Sequence, residues 1–496
     1  MLSILTKRFG QRHVTKIAVI AVTVLLTASL LITFLFSLLP SDIRTPDMTA
    51  NRMYTLSNGT KDTLKDLNKE VQLYLLAYDT DIDQSIKVFM ERYACENKNV
   101  KFKVLDPQRD VYEISEYLSE APAPNSILAV CGDKFRYIDY YELFSFSAES
   151  YQLAYQYYYQ ACQYNPNLAS QIDIRTYAVM MGLYDEFVYE SKITSAIKYV
   201  TAENTEKIYV LSGHGEGKVT YDLISRAGND CIDFNVHDAN TLAIPTDAEC
   251  VFLVCTTDLT ENEVAHLSEF MERGGKLVTL TGLGYNVPNF YALAKKYGLT
   301  SENKYVCDDT EGANYSNNPH ALIPQSVSGN IKNVLDASDA SLLLPYCAPI
   351  KISDALPEGI IVNPLISTSA NAYVKPVSAT STEFNEATDT REVRHIGVEA
   401  TNSNGGGIIW FSSLALIIDE YDVFSLFGNK LVMIDVFNDA TDNALRNNIA
   451  SVSRAASPLD VPMSLTVTFM VIFCGIIPAG LIALCVIRRK RLYSMK

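Results

Sequence analysis

The sequence is poor in the residues that most reaction centres need. One of its 496 residues is tryptophan, Trp410, which leaves little material for a stacked-aromatic sugar site. Six are histidine and ten cysteine, and no Cys-x-x-Cys or two-His spacing occurs, which argues against a zinc ribbon or a thioredoxin-type redox centre. There is no Gly-x-Ser-x-Gly or Gly-x-Cys-x-Gly elbow and so no sign of a hydrolase nucleophile. A phosphate-binding loop is missing too. The nearest stretch, Gly213 to Lys218, has its glycines one residue too close, and Val219 stands where Ser or Thr would hold magnesium. Positive charge is also scarce: 41 Lys and Arg against 57 Asp and Glu give a net charge of −16, which excludes a generally basic nucleic-acid binder. No cofactor, metal or nucleic-acid partner is expected.

What the chain does have is a sharp charge asymmetry. Lys7, Arg8, Arg12 and Lys16 precede an uncharged run of 23 residues, Ile17 to Leu39. Arg488, Arg489, Lys490, Arg491 and Lys496 follow a second uncharged run of 23, Leu465 to Ile487. The nine basic residues of the two tips leave −25 for everything between them. A 23-residue helix is about 34 Å long, enough for a hydrocarbon core of about 30 Å. Both basic clusters lie on the outer side of their run in sequence, so the positive-inside rule predicts two spans, cytoplasmic termini, and residues 40–464 across the membrane. A cleaved signal peptide is the competing reading of the first run. The run is longer than a usual signal core, and Leu38-Leu39-Pro40-Ser41-Asp42 is a poor cleavage site, so an uncleaved anchor is expected. In the second run Gly475, Pro478, Ala479 and Gly480 suit either a helix packed on a partner's membrane helices or an ordinary anchor. Eight cysteines fall outside the spans. Disulfides and free buried thiols both remain open.

Between the runs, hydrophobic periodicity predicts an α/β protein with several bodies. Residues 1–16 form a basic tip, 17–39 a span, and 40–145 a thioredoxin-like α/β domain without the redox motif. Its strands are Val71 to Tyr78, Val100 to Leu105, Ser126 to Cys131 and Lys134 to Tyr140. Residues 146–200 read as a helical connector in which Tyr151, Tyr155 and Tyr158 share a packed face. Residues 201–440 read as a doubly wound parallel-sheet domain with inserted loops, 441–464 as a linker, 465–487 as a span and 488–496 as a basic tail. Strands in the larger domain are Lys207 to Leu211, Asp233 to His237, Ala248 to Cys255, Lys276 to Leu280 and Ile408 to Phe411, and Gly274-Gly275 caps a helix.

The most distinctive stretch is Leu211-Ser212-Gly213-His214-Gly215-Glu216-Gly217. A glycine-rich turn between strand and helix offers backbone N–H groups to an anion, so Gly213, His214, Gly215 and Glu216 are the candidate ligand or partner contacts; a purely structural turn is the plainer reading. Asp258, after a strand, reads as a turn or helix-entry residue ahead of Thr260. The exported histidines show no spacing that pairs them with a particular Ser or Cys.

Taken in order, several segments resemble the GldG family, auxiliary subunits of gliding-motility-type ABC transporters. They are Met53-Tyr54-Thr55-Leu56-Ser57, Val104-Leu105-Asp106-Pro107, Ser195 to Val200, Lys207 to Glu216, Thr260-Glu261-Asn262-Glu263 and Arg273 to Leu277. The resemblance covers about residues 50–290. It implies a non-enzymatic extracytoplasmic subunit that works with separately encoded permease and ATPase chains in contact with membrane lipid. It further implies a GIFT or glutamine-amidotransferase-like α/β domain. The chain departs from the family where relatives often end a strand in Gly-Asp-Ser, having Phe411-Ser412-Ser413-Leu414 instead. A membrane-tethered hydrolase or ligand-binding receptor using the Gly213–Gly217 turn is the alternative.

Overall fold

The computed structural model describes residues 51–454, apart from 339, 420, 422–427, 448 and 451, together with Thr27, Asp47 and Thr49. Apart from Thr27, the two uncharged runs, and with them Gly475, Pro478, Ala479 and Gly480, lie outside the described residues. Among the described residues no helix is long and apolar enough to cross a membrane, so the expected pair of anchoring helices has no counterpart there.

The chain divides into two compact units. The first comprises residues 1–70, 82–102 and 452–496. It contains α1 (Asn58–Lys65), capped by the Ser57 hydroxyl accepting from Thr60 N–H, and α2 (Gln84–Glu96), capped by Asp83. Asn99 donates to the Leu67 carbonyl at 2.9 Å, tying the ends of these helices together through side-chain amides that satisfy otherwise orphaned carbonyls.

The second unit comprises residues 71–81 and 103–451. Its smaller sheet has β1 (Val71–Leu76), β3 (Ser126–Cys131) and β4 (Lys134–Ile138) in antiparallel succession. The C-terminal part of β2 (Val100–Leu105) lies beyond β1, giving the order β2-β1-β3-β4. The connector is less helical than the sequence suggests. Phe144–Ser145 (β5) and Glu186–Phe187 (β6) pair as a short antiparallel ladder around the helices, which a two-residue strand is too short to announce by periodicity. Within α3 (Ala148–Tyr164) the expected Tyr151, Tyr155, Tyr158 face is corrected: Tyr151 and Tyr158 are half-buried, but Tyr155 is exposed and stacks on Tyr159 at 6.5 Å. Ala154 is the residue buried there. α4 (Tyr189–Thr201) follows and runs into the larger sheet.

That sheet is built from β7 (Glu206–Leu211), β8 (Ile232–His237), β9 (Cys250–Cys255), β10 (Lys276–Thr281), β11 (Leu299–Ser301), β12 (Ser326–Val327), β13 (Ile350–Ile352), β14 (Ile361–Ser367), β15 (His395–Thr401) and β16 (Gly407–Phe411). Its main path runs β11-β13-β15-β16-β10-β9-β7-β8, with β12 and β14 attached through β15. The five strands β8, β7, β9, β10 and β16 are all parallel, in the order 2-1-3-4-5 by chain position. This is the doubly wound arrangement expected from the alternating pattern. Antiparallel β15, β14, β13 and β11, all from the stretch after Pro288, extend it.

All six residues of β9 are buried. Cys250, Phe252 and Val254 face a core shared with α5 (Tyr221–Gly228) and α8 (Gly428–Ala440). Val251, Leu253 and Cys255 face the other, shared with α6 (Glu261–Glu272) and α7 (Pro288–Lys295). The alternation of a strand puts successive side chains on opposite faces, so the run of apolar residues demands cover on both. Cys250 and Cys255 therefore point into different cores, and all eight described cysteines outside the runs are free. α6 ends at the expected glycine pair: Gly275 N–H returns to the Phe270 carbonyl at 3.0 Å and Gly274 N–H to Met271 at 3.2 Å.

One polar cluster binds the helices on the first face. The Asp222 carboxylate receives Arg175 and Arg226 at 2.8 Å each and the buried Lys430 ammonium at 2.8 Å. Burial pushes this carboxyl up, but Arg226, Lys430 and Arg175 together hold it far below the usual carboxylate range. Replacing Asp222 with Asn leaves three cations facing a neutral amide, one of them in the interior. Asp222→Asn is expected to destabilise the unit by about 3 kcal/mol. Because Trp410 is the only tryptophan and lies fully buried in β16, its fluorescence during denaturant unfolding reads this directly.

Candidate functional site

In an open parallel sheet of this order the chain winds in opposite directions on either side of the β7–β9 boundary. The crevice beyond the C-terminal ends of those strands is where such sheets take ligands. Here the crevice is formed by Ser212 to Thr220 after β7 and Thr256 to Thr260 after β9. The sequence-predicted Gly213, His214, Gly215 and Glu216 all lie in it.

Glu216 turns back on its own loop. Its carboxylate accepts from Gly213 N–H at 2.9 Å, His214 N–H at 3.2 Å and Gly215 N–H at 3.1 Å. These are the donors that would cradle an external anion. The Gly213 bond foremost, with burial opposing and the other amides assisting, holds the carboxyl below its ordinary value of 4.5. Gly215 must be glycine: its φ is +130°, and a Cβ there would lie 2.7 Å from Thr256 Oγ1. The Thr256 N–H and hydroxyl both donate to the His214 carbonyl, at 2.9 and 2.6 Å, fastening one loop to the other.

His214 is buried, with 4% of its surface exposed. Nδ1 lies 2.9 Å from the Thr257 carbonyl and Nε2 lies 2.8 Å from Glu263 Oε1. A carbonyl and a carboxylate are both acceptors, so each ring nitrogen is occupied by a group of the chain itself. Glu263 is also the third residue of α6. Its other oxygen accepts from Thr260 N–H at 2.7 Å while Thr260 Oγ1 accepts from Glu263 N–H, a reciprocal capping box. Burial raises the Glu263 carboxyl, but the Thr260 N–H and the His214 ring outweigh it and bring it below 4.5.

Sequence reasoning missed Glu263 as the partner of His214, since the two are 49 positions apart. The capping-box spacing Thr260-x-x-Glu263 is the signal in the sequence that could have drawn attention to Glu263. Asp258 does end a turn but does not cap α6. Its carboxylate accepts from Asn289 and Phe290 N–H at 3.0–3.2 Å, capping α7 instead. Topology makes a serine–histidine contact that no spacing in the sequence marks. Ser367 Oγ lies 2.8 Å from His395 Nδ1, because the two residues are direct cross-strand neighbours in β14 and β15. Among the described residues no carboxylate bonds to His395, so this is a cross-strand contact without the third member of a catalytic triad. His266 bonds to the Ala239 carbonyl and His320 stacks on Tyr346. Among the described residues no His, Cys, Asp and Glu cluster could hold a metal ion.

The crevice predicts an acid-sensitive stability. A carboxyl depressed in the folded state contributes stability that is present above its unfolded value, near 4.5, and is lost as pH falls through its folded value. Unfolding midpoints of the native protein should therefore drop as pH falls below about 4.5, and Glu263→Gln should flatten that slope. His214→Ala, which leaves Glu263 buried and unpaired, should cost about 3 kcal/mol at pH 7.

Residues 50–127 match a family model described as Domain of unknown function (DUF7088). No curated protein matches the chain. Among solved structures, the mmIFT52 N-terminal domain is 15% identical with a TM-score of 0.36, over 49% of this chain and 100% of that one. A ThuA-like protein from Bacteroides uniformis ATCC 8492 is 15% identical with a TM-score of 0.30, over 50% of this chain and 96% of its own. Another from Parabacteroides merdae ATCC 43184 is 12% identical with a TM-score of 0.29, over 52% and 95%. Scores this low carry no argument about the chain.

Proposed function

We propose that the protein is a non-enzymatic extracytoplasmic auxiliary subunit of an ABC-type transport system. It acts with a separately encoded ATPase and an ABC-2-type permease. Residues 17–39 and 465–487 anchor it as two membrane helices with both termini cytoplasmic, and residues 40–464 stand outside. Within that body the smaller sheet belongs to a thioredoxin-like domain and the larger to an amidotransferase-like, GIFT-type domain.

One observation carries the reading. The crevice where a doubly wound sheet takes its ligand is filled by the chain's own groups: Glu216 holds the loop amides, and His214 is spent between Thr257 and Glu263. The ring is buried and both of its nitrogens are occupied, so neither is presented to a substrate as a general base must be. The two uncharged runs with their basic flanks support anchoring. The order of the motifs from Met53 to Leu277 supports the transporter resemblance. The same filled crevice argues against a receptor or hydrolase centred on the Gly213–Gly217 turn.

The test is affinity purification of the full chain from its native membranes in mild detergent. An ABC permease and an ATPase should co-purify in constant ratio through a second, size-based separation. Recovery of the chain alone, from membranes in which those subunits are detected, defeats the proposal. Cleavage by protease added outside intact cells within residues 40–464, with both tips protected, is the matching topology result.

A further inference from the structure

A cavity of about 590 Å³ lies away from the crevice, between β4 of the smaller sheet, α4 and the C-terminal end of α5. That volume is within the range of small-molecule sites, about 300–1,000 Å³. Its walls carry Lys134, Arg136 and Lys192 against Asp133 and Glu142, a net positive lining in a chain of net charge −16.

Two of the three cations are already committed. Lys192 is buried and lies 2.7 Å from Glu142 Oε2 and 3.0 Å from Ser225 Oγ, while Ser225 Oγ donates to the same carboxylate oxygen at 2.7 Å. Lys134 donates to the Ala202 and Glu203 carbonyls at 2.6 and 3.0 Å.

Arg136 differs. Its guanidinium carbon lies 4.9 Å from the centre of the Tyr199 ring. Its other side is close to Gly228, where a Cβ would fall 2.0 Å from Nη2. Aromatic ring and bare backbone fix the plane of the fork. Yet its one ion-pair contact among the described residues is Asp233 at 3.7 Å, well beyond the 2.7–2.9 Å of a charge-assisted hydrogen bond. The guanidinium is held in place by Tyr199, to which it also hydrogen-bonds, and it lines the cavity with no close carboxylate. Beside it, Ile224 lines the same cavity and is 39% exposed, a large apolar side chain with uncovered surface; the Phe135 side chain, next along β4, lies on the strand's other face against Tyr117.

We propose that this cavity binds a small organic anion, its acidic headgroup paired with the Arg136 fork and its apolar body against Ile224. A planar fork favours bidentate oxyanions, carboxylate or phosphate, and the apolar wall favours a headgroup attached to carbon over a free inorganic ion. The site is independent of the crevice and of the transport reading, since none of its residues belongs to either argument.

The experiment uses the full chain in uncharged maltoside micelles, titrated calorimetrically with benzoate, phenyl phosphate and inorganic phosphate against protein-free micelles. Benzoate or phenyl phosphate should bind with a dissociation constant of about 1 mM or tighter, and the stronger of the two identifies the headgroup. Arg136→Ala and Gly228→Ala should each weaken binding at least about tenfold. The second keeps every charge and only displaces the guanidinium. Trp410 emission and the unfolding midpoint report that each variant is folded, and Arg136→Lys, a charge without the fork, should fall between. The proposal is overturned if neither organic anion binds the native protein at 10 mM, if inorganic phosphate binds as tightly as phenyl phosphate, or if folded Arg136→Ala and Gly228→Ala bind as well as the native protein. The native titration decides even where a variant fails to fold.

Discussion

The structure of the larger body depends on the burial of β9 on both of its faces. Cys-Val-Phe-Leu-Val-Cys has no polar side chain to offer water, and none of its six residues is exposed. A parallel strand in that position needs helices above and below, and each crossover must return the chain to the same edge of the sheet. α5 and α8 cover one face, α6 and α7 the other. The loops that leave the C-terminal ends of β7 and β9 run to opposite faces, to α5 and to α6. A crevice follows from the packing; what fills it is chosen by the loops.

Filling it with one's own side chains has an energetic logic. Loop amides after a parallel strand point outward and need acceptors, and a buried unpaired donor costs about 1–3 kcal/mol. Glu216 answers three of them with one carboxylate. The negative end of the neighbouring arrangement is answered in turn: Glu263, which caps α6, is balanced by the His214 ring, and that ring's second nitrogen is used by the Thr257 carbonyl. Removal of His214 or Glu263 leaves a buried partner unpaired, whereas the Glu216 bonds lie nearer solvent. Such a closed network serves rigidity, and it is poorly suited to exchanging protons with a substrate.

The alternating pattern made the parallel strands legible because each is a short, continuous apolar run bounded by turn residues; Cys250–Cys255 lies within the stretch the hydrophobicity marks, and Lys276–Thr281 runs one residue beyond its own. The glycine pair after α6 and the turn after β7 were legible for the same local reason. Pairings set by topology were not. Nothing near His214 points to Glu263, and Ser367 meets His395 only because β14 and β15 are adjacent in register. The tyrosines of α3 misled in a different way. Their spacing is helical, but Tyr has a polar end that tolerates water, so periodic tyrosine does not define a buried side as periodic leucine does. Tyr155 lies outside for that reason, and the small Ala154 marks the contact.

The distribution of buried charge separates the two regions where a ligand could sit. Inside this acidic chain the sequestered cations have close carboxylates. Lys192 has Glu142 at 2.7 Å, Lys430 has Asp222 at 2.8 Å, Lys375 has Asp389 at 2.6 Å, and Asp435 is matched by Arg446 at 2.5 Å. Interior ions require such matching, because desolvation costs several kcal/mol per ion unless geometry and hydrogen bonds return it. Arg136 breaks the pattern: it is oriented by Tyr199 and Gly228, and its nearest carboxylate stays 3.7 Å away. A side chain that is partly open to a cavity can keep that gap because water completes its shell. The crevice has spent its charges internally. The cavity holds one in reserve, and a positive, pre-oriented, partly hydrated fork beside exposed apolar surface is better completed by an anionic ligand than by solvent alone.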